Sequence, residues 1–191
     1  MFFARRPSAR IIERFLDDSR DLPLSYSPVG IVAQTPRDQR FDEQLTAIGH
    51  GPGDFDRARV ALMAWKQFDL GWVETFPQNA PVQTGTVVAV LIRHLGFWSL
   101  NGTRIVYLVG DGSDGSRAGF AYGALTNHAE RGEELFEIFI DRQTQDVMYR
   151  IRAMSWPQAA LAHIGQPIVR RLQSRFRRDS VRAMMRVTAR R

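Results

Sequence analysis

Apolar residues fall three or four apart near both ends of the chain and after residue 54, and at alternate positions through the long stretch between. Ile11, Ile12, Phe15 and Leu16 follow Pro7-Ser8 and predict a short helix over Ser8–Asp18. Leu22–Pro36 contains Pro23, Pro28, Gly30 and Pro36, so it reads as an extended connector lying on the domain. Phe41–Ile48 suits a short strand. Gly49-His50-Gly51-Pro52-Gly53-Asp54 then reads as a turn, with Asp54 the N-cap of a helix over Phe55–Phe68 whose stripe is Phe55, Ala58, Leu62 and Trp65.

From Val82 to Met154 the period is that of strands. The expected segments are Val82–His94, Phe97–Leu100, Thr103–Val109, Arg117–Leu125, Glu133–Ile140 and Val147–Met154. Asn101-Gly102 is the strongest hairpin signal, Gly110–Ser116 is a loop, and Thr126–Gly132 and Asp141–Asp146 are turns. Connections this short exclude parallel crossovers over most of the region, so the strands form an antiparallel meander. Helical spacing returns with Leu161, Ile164, Ile168, Leu172, Phe176, Met184 and Val187, where Gly165 and Pro167 are expected to break or kink the helix. The order predicts an α+β fold: N-terminal helices, then a curved antiparallel β-sheet packed on a long C-terminal helix. We assign one domain over 1–191, made of an N-terminal helix and connector (1–40), a strand-rich core with one helix (41–156) and a basic helix (157–191).

Composition adds limits. A chain of 191 residues can bury about 70% of its unfolded surface. With no cysteine, thiolate nucleophiles and Cys-type zinc sites are excluded. The longest apolar run, Val87–Ile92, is far too short to span a membrane, and the first residues lack the apolar core of a signal peptide, so a cytoplasmic location is expected. The net charge is +6, and Lys66 is the only lysine. Nine arginines after residue 156 against the single acid Asp179 make +8, which leaves residues 1–156 at −2. That basic helix is a solvated face, a patch for anionic lipid through Arg170, Arg171, Arg175, Arg177 and Arg178, or a patch for nucleic acid. No nucleic-acid motif accompanies the charge, which ranks nucleic acid below lipid.

Chemistry-bearing residues concentrate in Gly119–Phe136, GFAYGALTNHAERGEELF. Tyr122, His128, Glu133 and Glu134 form either a hydrogen-bonded hairpin with surface acids, a binding site, or an acid–base cluster. Strand alternation sends Glu133 and Glu134 to opposite faces, so at most one enters a cavity. Arg93 and His94 are likewise successive. An inward Arg93 would bind an anionic group or pair internally with a glutamate. Trp65, Trp72, Phe97, Trp98, Phe120 and Tyr122 either line an apolar cavity of a few hundred Å³ or fill the core. The four histidines show no ligand spacing, so no metal is expected, and no cofactor either. Residues 49–54 match neither phosphate-loop fingerprint. Asp111 and Asp114 lack the spacing of a calcium loop, and Ser113 does not fit a nucleophile elbow.

Several strings resemble one family over essentially the whole chain: LSYSPVG at Leu24–Gly30, Gly49-x-Gly51, Trp65, Arg93-His94-Leu95-Gly96, Gly119–Phe136, and Pro167-x-x-Arg170-x-x-Gln173-x-x-Phe176 with Ser180. They look like uncharacterised protein family 0548, also called DUF1990, for which no activity is implied. Ala124 departs from it, standing where threonine is expected. The chain is also similar to the helix-grip superfamily that includes START and pollen-allergen-like proteins. The leading expectation is a domain that binds a small hydrophobic or amphipathic ligand between sheet and last helix, with Arg93, His94, Trp98, Tyr122, His128, Glu133 and Glu134 at the site. The alternatives are an enzyme using His128 or Glu133 as base with Arg93 holding an anionic group, and a peripheral protein acting through its basic helix.

Overall fold

The computed structural model describes residues 1–33, 41–110, 115–157 and 166–189. Its elements in chain order are β1 (Phe2–Phe3), α1 (Ala9–Ser19), β2 (Asp42–His50), α2 (Gly51–Met63), a 3-10 turn (Lys66–Phe68), β3 (Val73–Phe76), β4 (Val87–His94), β5 (Phe97–Val109), β6 (Arg117–Ala124), β7 (Glu130–Ile140), β8 (Asp146–Pro157) and α3 (Gln166–Thr188). The strands make one curled antiparallel sheet in the order β2-β8-β7-β6-β5-β4-β3, and β1 pairs with β5 where β6 does not reach.

Side-chain alternation gives the sheet two covered faces. On the inner face Phe120, Phe136, Ile138, Tyr149 and Ile151 pack against Phe55, Ala58 and Leu62 of α2 and Val181 and Met184 of α3. On the outer face α1 covers Ala89, Leu91 and Leu100 with Ile12 and Phe15, while Val32 of the connector packs on Ala121, Leu135 and Met154. Burial of the α3 stripe fixes the helix more firmly than its intrinsic propensity could. The buried Tyr149 hydroxyl also meets Ser180 Oγ at 2.9 Å, which ties α3 to β8.

Some expectations fail for local reasons. Asn101-Gly102 is no turn but lies inside β5, paired with Val90 and Ala89. The two-residue hairpin falls instead at Leu95-Gly96, whose φ of 48° and 83° are the positive pair that such a turn demands. Asn101 is buried and its amide donates to Val90 O and Ser99 Oγ, so the sheet interior uses a side chain that resembles a turn signal. Helix α2 starts at Gly51 rather than after Asp54. Asp54 Oδ2 accepts from the His50 N–H from within the first turn, and its other oxygen pairs with Arg57. The helix stops at Met63, and Trp65 with φ 60° opens the 3-10 turn. The expected strand from Val82 begins only at Val87, β3 and β1 were not foreseen, and β7 extends back to Glu130 through the expected turn. Asp111, Ser113, Asp114, Leu161, His163 and Ile164 lie outside the described residues.

Candidate functional site

Helix α3 meets the sheet differently along its length. Its C-terminal half is meshed with the core through Val181 and Met184, whereas Val169, Leu172, Gln173, Phe176 and Arg177 roof a cavity of about 180 Å³. The walls include Phe68, Trp72, Val90, Ile92 and Phe176, and the polar lining gathers around Tyr122, His128, Glu130, Glu134 and Gln173. The volume falls short of the few hundred Å³ expected, and is close to apolar holes that admit a guest the size of benzene.

Strand β7 sets the polar chemistry. Glu134 lies directly opposite Ala153 on β8 and Tyr122 on β6, and accepts the Tyr122 O–H at 2.6 Å. Glu130, on the same face four residues earlier, accepts from Gln173 Nε2 at 2.8 Å, and Gln173 also reaches Ser155 Oγ at 3.0 Å. Burial penalises the ionised form of both carboxyls and pushes each up to about 7. Desolvation also raises the Tyr122 phenol well above its ordinary value. His128 Nδ1 lies 2.9 Å from both the N–H and the carbonyl oxygen of Glu130, and burial lowers the ring to about 4. His94 borders the cavity beside Phe2, with its value lowered by burial and Nε2 3.3 Å from Ser99 Oγ.

Four of the seven residues named from sequence therefore converge: His94, Tyr122, His128 and Glu134. The side chains of the other three are turned away. Arg93 follows Leu91 on the outer face, exposed, with its guanidinium 6.0 Å from the Trp98 ring. Trp98 itself packs on the cluster beneath α1. Glu133 is 2% exposed and its carboxylate is saturated on the outer face, where Tyr26 Oη donates at 2.6 Å, Gly30 N at 2.8 Å, Tyr107 Oη at 2.9 Å and Val32 N at 3.3 Å. Of the expected aromatic lining, Trp72 and Tyr122 border the cavity, Trp65 and Phe120 are core, and Phe97 is exposed. Sequence reasoning missed Glu130 and Gln173 as cavity residues and assigned Arg177 to an outward lipid patch, whereas it borders the cavity and pairs with Asp42. The signal for Glu130 was its even spacing from Glu134, hidden because Thr126–Gly132 reads as a turn. Gln173 and Phe176, three apart, stood together in a recognised motif.

The basic helix is partly neutralised within the chain. Arg177 turns inward and pairs with Asp42 at 3.2 Å, while Arg175, Arg178 and Arg182 all lie within 4 Å of Asp179. Arg175 also stacks on Trp72 at 4.4 Å, and Trp72 Nε1 donates to Asp179 at 3.1 Å. Arg170 and Arg171 are exposed. Among the described residues no three His, Asp or Glu side chains gather as metal ligands would, and no helix is long and apolar enough to cross a membrane.

A curled antiparallel sheet closed over a cavity by its last helix defines the helix-grip class of proteins. The Zhui aromatase/cyclase from Streptomyces sp. R1128 shares this fold at 13% identity and a TM-score of 0.51, covering 78% of this chain and 93% of that one. Residues 25–183 match the family described as Domain of unknown function (DUF1990). A UPF0548 protein of Dictyostelium discoideum is 34% identical over 97% of this chain and 94% of its own. One from Deinococcus radiodurans is 30% identical over 97% and 98%. The chain belongs to the DUF1990 (UPF0548) family.

Proposed function

We propose that this protein binds a small amphipathic molecule in the cavity beneath the N-terminal half of α3. The supporting observation is a hole with aromatic and aliphatic walls whose carboxyl-bearing side is built from Tyr122, Glu134, Glu130 and Gln173, with His94, Ser99 and Asn101 also in its lining. That is the usual composition of a small-molecule site, where apolar walls supply affinity and a few placed polar groups fix orientation. A core packed solid would have no reason to hold two buried carboxyls with one side-chain donor each. The test is a screen of small aromatic and aliphatic compounds by native mass spectrometry and thermal shift. A ligand at about 100 times its Kd should stabilise the fold by about 2.7 kcal/mol. Ala153, opposite Glu134 on the cavity wall, provides the control: Ala153→Phe should fill the hole and abolish every shift. Shifts that survive this substitution, or a screen without a single hit, count against the proposal.

Acid–base catalysis on the bound molecule is a second reading, favoured by two carboxyls held near neutral pH beside the ligand space. Glu134 takes the role of base in it, since Arg93 and the Glu133 carboxylate face the other side. Deuterium entering a bound ligand from D2O, and lost in Glu134→Gln, supports this reading; no exchange in any ligand the cavity accepts removes it. Attachment to anionic lipid has less support, because Arg177 is turned inward and Arg175 and Arg178 share Asp179.

A further inference from the structure

We propose that the molecule taken by this cavity carries a cationic amine at its polar end, received between Glu130 and Glu134, on an apolar body of about one aromatic ring. This rests on the cavity reading above and names the ligand class. The groups around the two carboxyls are Tyr122 from β6, His128 from the preceding turn with the Met1 amino group near it, Gln173 and Arg177 from α3, Asp42 from β2 and Tyr149 from β8, while His94 of β4 lines the cavity beside Phe2 and Ser99. Arg177 is the one cation among the described cavity-lining residues that is not directed elsewhere by the sheet, and its guanidinium is already paired with Asp42. Arg131 sends its Nε to Ser25 O on the outer side. Burial keeps both histidines below their ordinary values, and the nearby Met1 amino group lowers His128 further, so neither supplies charge near pH 7.

The polar end is thus rich in acceptors, and the positive charges near it are already engaged, Arg177 with Asp42 and the Met1 ammonium with Leu100 O. An ionised carboxylate has about four acceptor positions. Glu133 fills four, whereas Glu130 and Glu134 each receive one side-chain hydrogen bond among the described residues. An ammonium offers three donors and the opposite charge, and meets both deficits at once. A carboxylate ligand would add a like charge, and a neutral hydroxyl could satisfy only one acceptor. Phe68 and Phe176, in contact at 5.4 Å between ring centroids, supply the apolar wall for the ring of such a molecule.

The same geometry couples binding to protons. With both carboxyls titrating near 7 in the empty cavity, an arriving ammonium favours their ionised forms and expels protons, so affinity rises from pH 6 to pH 8. Calorimetry on the full chain with benzylamine, benzyl alcohol, benzoate and toluene at pH 6, 7 and 8 tests this. At pH 8 benzylamine should bind about tenfold or more tightly than benzyl alcohol, a difference of about 1.4 kcal/mol. Its affinity should climb severalfold across the pH range, with a heat that depends on the buffer's ionisation enthalpy. Glu134→Gln should lower benzylamine affinity about tenfold and leave benzyl alcohol within about threefold; Glu130→Gln serves the same purpose if the first variant does not fold. Benzyl alcohol, toluene or benzoate binding as tightly as benzylamine overturns the amine assignment and leaves the cavity reading standing. Failure of all four probes overturns both.

Discussion

Glu133 and Glu134 are adjacent and chemically identical, yet the sheet gives them opposite surroundings. Glu133 points to the outer face, where two phenols and two backbone N–H groups replace its hydration, and it clamps residues 26–32 of the connector to β7. Glu134 points to the inner face, where one phenol reaches it and apolar walls surround the rest. The difference separates a carboxylate that builds the fold from one whose bonding capacity is left for a ligand. What marks the second is incomplete solvation in a hole, not burial alone.

The largest way to break this comparison is Glu133→Ala, which strands four donors, the buried Gly30 and Val32 N–H groups and the half-buried Tyr26 and Tyr107 hydroxyls. It should cost about 3–5 kcal/mol in urea denaturation and lower Tm by roughly 10 °C. A loss below about 1 kcal/mol would mean that the outer clamp is not a unit.

Glu134→Gln should act in the opposite direction and depend on pH. The native carboxyl titrates near 7, against an ordinary 4.5, so between these values the folded protein holds a proton that the unfolded chain releases. Stability therefore falls as pH rises through that window. Glu130 adds to the fall, while His128, lowered from 6.5 to about 4, opposes it between those two values because there the unfolded chain binds the extra proton. His94, also lowered from 6.5 by burial, opposes the fall in the same sense just below 6.5, so the net decline is steepest from about pH 6.5 to 7. The variant should accordingly gain roughly 1–3 kcal/mol at pH 8 relative to its effect at pH 5, read from denaturation midpoints at both. An equal effect at the two pH values would show that Glu134 is not desolvated.

Two phenol deletions sharpen the contrast at smaller scale. Tyr107→Phe removes one of four donors to a saturated carboxylate and should cost about 1–2 kcal/mol. Tyr122→Phe should cost about 1 kcal/mol or less at pH 5. Because the Tyr122 hydrogen bond favours the ionised form of Glu134, its loss should also move the pH-dependent decline upward. A Tyr122→Phe variant with unchanged pH dependence would disconnect the phenol from the carboxyl's titration.

Much of this was readable in the residues. The connector over its described residues 22–33, the amphipathic face of α3, the meander and the alternation of Glu133 against Glu134 all follow from local rules of period and backbone freedom. Failures came where a local preference met a tertiary demand. Asn101-Gly102 favours a turn, but Asn101 bonds Val90 O and Gly102 fits closely against Asn127, where a Cβ would lie 2.3 Å from Oδ1. Leu95-Gly96 makes the turn instead, although leucine seldom adopts positive φ. Glu130 was lost with the misplaced start of β7, since a residue assigned to a turn has no assigned face.

The chain alone determined which residues are apolar, at what period, and hence which elements form and that an antiparallel sheet is closed by a final helix. Pattern cannot say how far that helix stands from the sheet at each turn, because the distance depends on side chains that meet across more than a hundred residues of chain. Tertiary packing alone decided that Val181 and Met184 sit within the core while Phe176 and Gln173 span a hole. It also decided that Glu134 opens into that hole while Glu133 is enclosed by the connector on the other side.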